Sequence, residues 1–273
     1  MPQNNSGTCT LVVTPIGNLS EISGRSLDIL RCADVIACED TRNTVKLLSH
    51  YDIHTHLITY HNFNEENSAE GIISLLREGK NIALVSDAGY PLISDPGYVL
   101  VQRLIEEDLP FTIAGSNNAA LSALLGSGLD TTHYLFYGFL NSKPSAAKKQ
   151  LEELKDFPYT LIFYEAPHRI LKTLALMKEV LGERNACIAR ELSKVHEEYI
   201  RGSFSELLKK DEYRGEIVLV VEGKKKEAED VEELLRQVRE LTDKGMRLKE
   251  ACEKVSKGTS YSKNQLYTLS AKE

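Results

Sequence analysis

Carboxylates, arginines and turn-forming residues recur in this chain at one kind of place, directly after short apolar runs. The densest case is residues 84–97, L-V-S-D-A-G-Y-P-L-I-S-D-P-G, which sets Asp87 and Asp95, Ser86 and Ser94 among glycines and prolines. At the carboxyl end of a strand such a loop presents side-chain and backbone hydrogen bonds together, where open α/β sheets collect their ligands. Glu39-Asp40-Thr41-Arg42, His61 with Glu65, Gly115-Ser116-Asn117-Asn118, Glu165-Ala166-Pro167-His168-Arg169 and Arg190-Glu191 follow other apolar runs in the same way. Small residues at Pro15-Ile16-Gly17, at 86–89, at 115–118 and at Gly215 permit the close backbone approach that a folded nucleoside requires. The charged set of Arg25, Glu39, Asp40, Arg42, Glu65, Glu165, His168, Arg169, Arg190 and Glu191 suits a polar or phosphorylated partner, or acid–base work.

Several chemistries are disfavoured. No G-x-G-x-x-G follows a strand and no G-x-x-x-x-G-K-[ST] is present, which argues against a common nicotinamide enzyme or a P-loop ATPase. No G-x-S-x-G elbow occurs either. His54-x-His56 lacks a third ligand at a useful spacing, so no metal is expected.

The elements that position these loops alternate. Apolar, branched runs at 8–14, 35–38, 57–60, 82–85 and 111–114 read as buried strands. Helical patterns at 23–33, after Asp40 or Thr41 as cap, up to Glu78, at 98–107 and at 119–125 lie between and after them. Alternation of this kind predicts a largely parallel sheet with helices on both faces. A Gly-rich polar stretch at 127–132 marks a boundary, and the alternation restarts. Strands are predicted at 134–137, 160–164, 186–189 and 217–221, with helices from about Lys143 and at 170–181. Lys224-Lys225-Lys226 reads as a linker, and helices at 231–243, 248–256 and 262–269 form a small module with helix-turn-helix spacing. The expected organisation is an N-terminal α/β domain over 1–127, a second over 128–223 and a helical module over 227–273.

The 273 residues, 42% hydrophobic, suffice for two ordinary cores. Leu11-Val12-Val13 is too short for a signal peptide or a span, so no membrane is expected and a cytoplasmic protein is. Five cysteines without C-x-x-C spacing read as reduced core fillers. A net charge of −7 does not advertise a nucleic-acid binder. Residues 244–272 nevertheless carry seven cations against two carboxylates, a basic patch on an acidic protein.

T-P-I-G-N-L (14–19), E-D-T-R (39–42), S-D-A-G-x-P-x-I-S-D-P-G (86–97), Y-G-F-L (137–140), F-Y-E-A-P-H-R (163–169) and A-R-E-L-S-K (189–194) occur in that order. The set resembles the bacterial small-subunit rRNA ribose 2′-O-methyltransferases of the tetrapyrrole methylase superfamily, over about residues 8–222. The resemblance implies an α/β protein of two αβα-sandwich domains, with S-adenosylmethionine (SAM) folded in the cleft between them. It implies methylation of a cytidine ribose in the decoding region of 16S rRNA, by a homodimer. Carried over motif by motif, cofactor contacts fall on Pro15, Ser86, Asp87, Ala88, Ile93, Ser94, Asn118 and Ala119, and on Tyr164, Glu165, Ala189, Gly215 and Glu216. The RNA side falls on Arg25, Glu39, Asp40, Thr41, Arg42 and His61, with Arg169 as a further candidate; separately, the charge of Lys143, Lys148, Lys149 and the basic tail suits phosphate contacts. Asp40, Glu165, His168 and His61 are the candidates for helping a weakly acidic hydroxyl lose its proton. The chain departs from the usual pattern twice, with Gly89-Tyr90-Pro91 for Gly-Thr-Pro and 114–119 lacking two prolines. Loss of the prolines predicts a looser loop beside the cleft. The alternatives are a small-molecule tetrapyrrole methyltransferase, which needs neither E-D-T-R nor a basic tail, and a non-catalytic rRNA-binding assembly factor.

Overall fold

The computed structural model describes residues 6–60, 65–225, 231–257, 259 and 261–271, so His61 lies outside the described residues. The chain forms two compact units, Met1–Gly223 and Lys224–Glu273.

The first unit holds two five-stranded sheets. In the first, β1 (Cys9–Val12), β2 (Val35–Cys38), β3 (His56–Thr59), β4 (Ile82–Val85) and β5 (Phe111–Ala114) lie in the order β3-β2-β4-β1-β5. Every neighbouring pair is parallel. The central strands β1, β2 and β4 are buried on both faces, which their uninterrupted apolar runs demand. Successive residues feed opposite layers. Val12, Ile36 and Val85 meet Leu30 of α1 (Gly24–Cys32) and Leu47 and Leu48 of α2 (Thr41–His50). Leu11, Ala37 and Leu84 meet Ile72, Ile73 and Leu76 of α3 (Glu65–Arg77) and Leu100 and Leu104 of α4 (Tyr98–Glu106). Each such fully buried Leu or Ile contributes about 2 kcal/mol. Because Cys38 pairs with Val85, Val85 with Val12, and Val12 with Ala114, all the loops that follow leave the sheet along one edge.

Helix α5 (Ala119–Ser127) is the exception to chain order. It follows β5, within the first 127 residues, yet packs on the second sheet, with Ala120, Ala123 and Leu124 against Ile162, Cys187, Ala189, Val218 and Val220. Small residues allow that close approach. The second sheet comprises β6 (Tyr134–Phe139), β7 (Thr160–Glu165), β8 (Asn185–Arg190), β9 (Glu198–Ser203) and β10 (Ile217–Val221), in the order β6-β7-β10-β8-β9. Its other face is covered by α6 (Pro144–Leu154), α7 (Ile170–Leu181) and the short α8 (Phe204–Leu207). Only β6 and β7 run parallel; β10 is antiparallel to both β7 and β8, and β8 to β9. This sheet is therefore mixed, where the restarted alternation pointed to more of the same. The reason is β9, an edge strand that sequence reading missed. Its E-Y-I-R-G-S carries charge and is only half buried, so it shows no apolar run.

In the second unit, α9 (Val231–Asp243), α10 (Leu248–Ser256) and α11 (Lys263–Ser270) enclose Leu234, Val238, Ala251, Cys252 and Leu266. A capping box between Ser262 and Gln265 starts α11. Among the described residues, no helix is long and apolar enough to cross a membrane, and no group of three or more His, Cys, Asp or Glu is placed to hold a metal ion.

Candidate active site

A cleft of about 480 Å³ opens within the first unit, between the loops that leave the two sheets. That is within the size range of small-molecule sites. Residues 87–90 and 93–95 of the long loop after β4 form one wall, and residues 164–167 at the end of β7 with 216–218 form the opposite one. Asn117, Asn118 and Ala119 close it at the amino end of α5, and Ile16, Phe139 and Leu192 supply further apolar surface.

The first wall is held stiffly. Leu92 and Ser94 adopt left-handed φ angles of 72° and 68°, which side-chain-bearing residues accept only when their surroundings impose them. Thr14 Oγ1 donates to the Ser86 carbonyl at 3.2 Å, and Asn43 of α2 donates to Asp87 Oδ2 at 2.8 Å. Behind the cleft, Gly17 lies so close to the second sheet's loop that a Cβ there would sit 2.7 Å from the Leu192 carbonyl oxygen. No residue but glycine lets T-P-I-G abut A-R-E-L-S-K in this way. Glu191 Oε1 in turn accepts the Glu216 backbone N–H at 2.9 Å and pairs with Lys194 at 3.0 Å, tying the β8 and β10 ends together.

In the loop that lacks its two prolines, side chains supply other restraints. Asn117 Nδ2 donates to the Glu21 carbonyl at 3.2 Å, and Asn118 caps α5 by accepting the Leu121 N–H at 3.0 Å. Tyr90, the other departure, reaches across and donates to the Gly115 carbonyl at 3.5 Å. Gly115 itself has φ 118° and no space for a Cβ, which would meet that of Val13 at 2.5 Å. Side-chain hydrogen bonds thus hold what proline rings would otherwise restrict.

Residues 8–208 match the family model for Tetrapyrrole (Corrin/Porphyrin) Methylases. The chain belongs to the tetrapyrrole methylase family. It is 44% identical to "Ribosomal RNA small subunit methyltransferase I" of Bacillus subtilis, over 97% of this chain and 94% of that protein. With the protein of the same name from Halalkalibacterium halodurans it shares 43% identity, over 98% and 96%. The solved structure of uroporphyrin-III-C-methyltransferase from Thermus thermophilus shares the fold, with a TM-score of 0.55 at 21% identity, over 79% of this chain and 94% of that one.

Within this tetrapyrrole methylase, the expected cofactor residues Asp87, Ala88, Ile93, Ser94, Asn118, Ala119, Tyr164, Glu165 and Glu216 line the cleft. Pro15, Ser86, Ala189 and Gly215 do not form its wall but adjoin residues that do. The expected catalytic residues are scattered. Asp40 caps α2 through the Arg42 N–H and grips the Arg42 guanidinium with both oxygens, which holds its carboxyl down at about 2. The Glu165 carboxylate is 1% exposed and accepts from the Ala166 N–H at 2.8 Å and Thr173 Oγ1 at 2.5 Å, with Arg169 at 3.4 Å. His168 is exposed and outside the lining, one residue beyond Pro167. Of the expected RNA-facing residues, Arg25 and Arg42 are exposed on α1 and α2 and Glu39 ends β2 half-buried. Arg169 donates to the carbonyls of Leu140 and Asn141. Lys148 pairs with Glu179 at 2.6 Å, and Lys149 is exposed beside it on α6.

One residue was not singled out as a candidate for chemistry. Asp95 lines the cleft, half-buried beside Asp87 and Glu39. Burial first, and then the negative charge of Glu39, pushes its carboxyl up to about 6. Its sequence signal is the second aspartate of S-D-A-G…S-D-P-G; which of the two is buried is decided by the fold.

Proposed function

We propose that this protein transfers the methyl group of SAM to the ribose 2′-hydroxyl of a cytidine in the decoding region of 16S rRNA. Membership of a methylase family implies a methyl donor, and the relatives' names carry small-subunit rRNA. The observation that carries the reading is the charge of the cleft. Its described lining includes no lysine, arginine or histidine, and of its four carboxylates Asp87 and Asp95 belong to no ion pair found among the described residues, whereas Glu165 pairs with Arg169 and Glu216 with Lys194. A donor bearing a sulfonium and an ammonium suits such a wall, whereas a phosphate-rich cofactor is repelled by it. When bound, that donor supplies an electrophilic methyl carbon. Ile16, Ile93, Leu192, Ile217 and Val218 would enclose its adenine, and the amino end of α5 at Asn118 and Ala119 would favour its carboxylate. The chain's remaining task is orientation, holding donor and acceptor in line and excluding water.

An RNA cannot be held by the acidic cleft itself. The acceptor nucleotide approaches instead over Arg25, Arg42 and Arg169, with phosphates met by Lys148, Lys149 and the basic stretch over 244–272. A homodimer working in the cytoplasm fits this reading. Its support is apolar surface left open on β5 and α5, where Ile113 is 50% and Leu125 76% exposed.

The test is methyl transfer from labelled SAM to 30S subunits that lack the modification, with the label mapped to a nucleotide. Label on a decoding-region cytidine ribose is the expected result. SAM binding by calorimetry without transfer to the subunit would favour an assembly factor, and transfer to a tetrapyrrole alone would favour the small-molecule branch.

A further inference from the structure

Transfer to a ribose hydroxyl leaves one proton to be placed, since the hydroxyl oxygen cannot keep both its hydrogen and the incoming methyl group. The groups on hand are few. Of the titratable residues lining the cleft, the Glu165 carboxylate already accepts from Ala166 and Thr173 and lies against Arg169. Asp87 is held by Asn43. Glu216 points outward, with its carboxylate on Lys194 at 3.2 Å and 76% exposed. Tyr90 donates to Gly115, and Tyr164 is a phenol pushed up by burial and by the negative charge of Asp95 across the cleft.

Asp95 differs from all of these. It belongs to no ion pair found among the described residues, and it does not cap the helix that follows, because α4 starts from Gly97 with no side-chain cap. The groups that act on it are the Ser86 hydroxyl after β4, Asp87 in the same loop, Glu39 at the end of β2 and Tyr164 on β7. None is a cation. Its position also joins two surfaces: it lines the donor cleft and neighbours Glu39, the first residue of E-D-T-R. The backbone that presents it is constrained on its amino side by the left-handed Ser94 and followed by Pro96.

We infer that Asp95 is a catalytic residue that takes the proton of the acceptor hydroxyl. The inference rests on the reading of the cleft as a site of methyl transfer to a hydroxyl. The hydroxyl proton passes to a carboxylate oxygen of Asp95 as the oxygen forms its bond to the methyl carbon. The carbon–sulfur bond breaks with its electron pair left on sulfur, which changes from sulfonium to neutral thioether. The carboxylic acid of Asp95 then returns its proton to water. A carboxylate kept from cations and raised toward neutrality is a better proton acceptor than one on an arginine, while still unprotonated at cellular pH.

The experiment compares full-length wild type, Asp95→Asn and Asp95→Glu in single-turnover methyl transfer to unmodified 30S subunits at saturating SAM, from pH 5 to 8. SAM affinity is measured in parallel by calorimetry. The wild-type rate should rise about tenfold per pH unit and level off above an inflection near 6. Asp95→Asn should lower the rate at pH 7.5 by about 100-fold or more, at SAM concentrations that saturate the variant as measured, and lose that acid limb. Asp95→Glu should keep the inflection and recover part of the rate. A wild-type profile flat through pH 6, which needs no variant to fold, overturns the proposal. So does an Asp95→Asn rate within about threefold of wild type, or a rate that falls only as far as SAM affinity does. Wild-type label on a nucleobase, or on no RNA at all, overturns the functional reading itself and this inference with it.

Discussion

At the scale of single residues, two carboxylates of the cleft have opposite characters. Glu165 is inaccessible and saturated with donors, so its task is to hold the turn after β7 against α7. Glu165→Gln keeps the size, but sets an NH2 group against donors and loses the ion pair with Arg169. It should destabilise the protein by about 1–3 kcal/mol, read as a lower Tm. Lost transfer with an unchanged Tm would instead give Glu165 a part in the chemistry. Asp95 works the other way. Its carboxyl is raised from 3.8 to about 6 on folding, chiefly by burial. The folded state therefore binds a proton that the unfolded state releases between these values, and stability falls as pH rises through that window. Above it the charged form is a standing cost, on the order of 1 kcal/mol for a half-buried group after solvent screening. Asp95→Asn should thus raise Tm at pH 8 and leave it unchanged near pH 3.5, in thermal melts at both pH values. A residue that costs stability and makes no cap or ion pair is in keeping with a role in chemistry.

At the scale of elements, the cleft depends on how α5 begins. Asn118 caps it and Asn117 ties the preceding loop to Glu21, so both asparagines stand in for covalent stiffness. Asn118→Ala should cost about 1 kcal/mol of stability through removal of the cap. It should also weaken SAM binding severalfold, because the amino end of α5 would no longer be held at the cleft. Calorimetry on the variant checks this, and restored affinity in Asn118→Asp, which caps equally well, would assign the loss to the cap. Tyr90 joins the same arrangement from the loop after β4, so Tyr90→Phe combined with Asn117→Ala should cost more than the sum of the two.

At the scale of the whole molecule, partners and charge decide the outcome. The residues proposed to hold SAM all lie within the first unit, so removal of residues 227–273 should leave SAM affinity within about twofold. It should nonetheless weaken binding to 30S subunits and flatten its salt dependence, by roughly 0.7–0.9 of a log–log unit for each phosphate that is no longer neutralised. Filter binding at several salt concentrations reads both. Leu121 and Leu125, one turn apart and exposed on α5, make the second whole-molecule prediction. Leu125→Asp should shift the protein from dimer to monomer in sedimentation, and a monomeric wild type would remove the dimer from the proposed function.

The sequence by itself determined every strand but β9, most helices and the loops predicted to carry function, because buried strands need uninterrupted apolar runs and ligand-binding turns need Gly, Pro, Asp and Ser. β2, β4, β5, α7, β10, α9 and α10 fall where their patterns place them. Its motifs also pointed to the family. Tertiary structure alone decided what each loop residue meets. It paired Asp40 with Arg42, buried Glu165 under Thr173 and left Asp95 without a cation. It moved α5 onto the second sheet and added the charged edge strand β9 to it. The physical reason is range. Periodicity and turn chemistry act over a few neighbours and are written locally, whereas the burial and charge that set a carboxylate's behaviour come from residues as distant in sequence as Glu39, Asp95 and Tyr164.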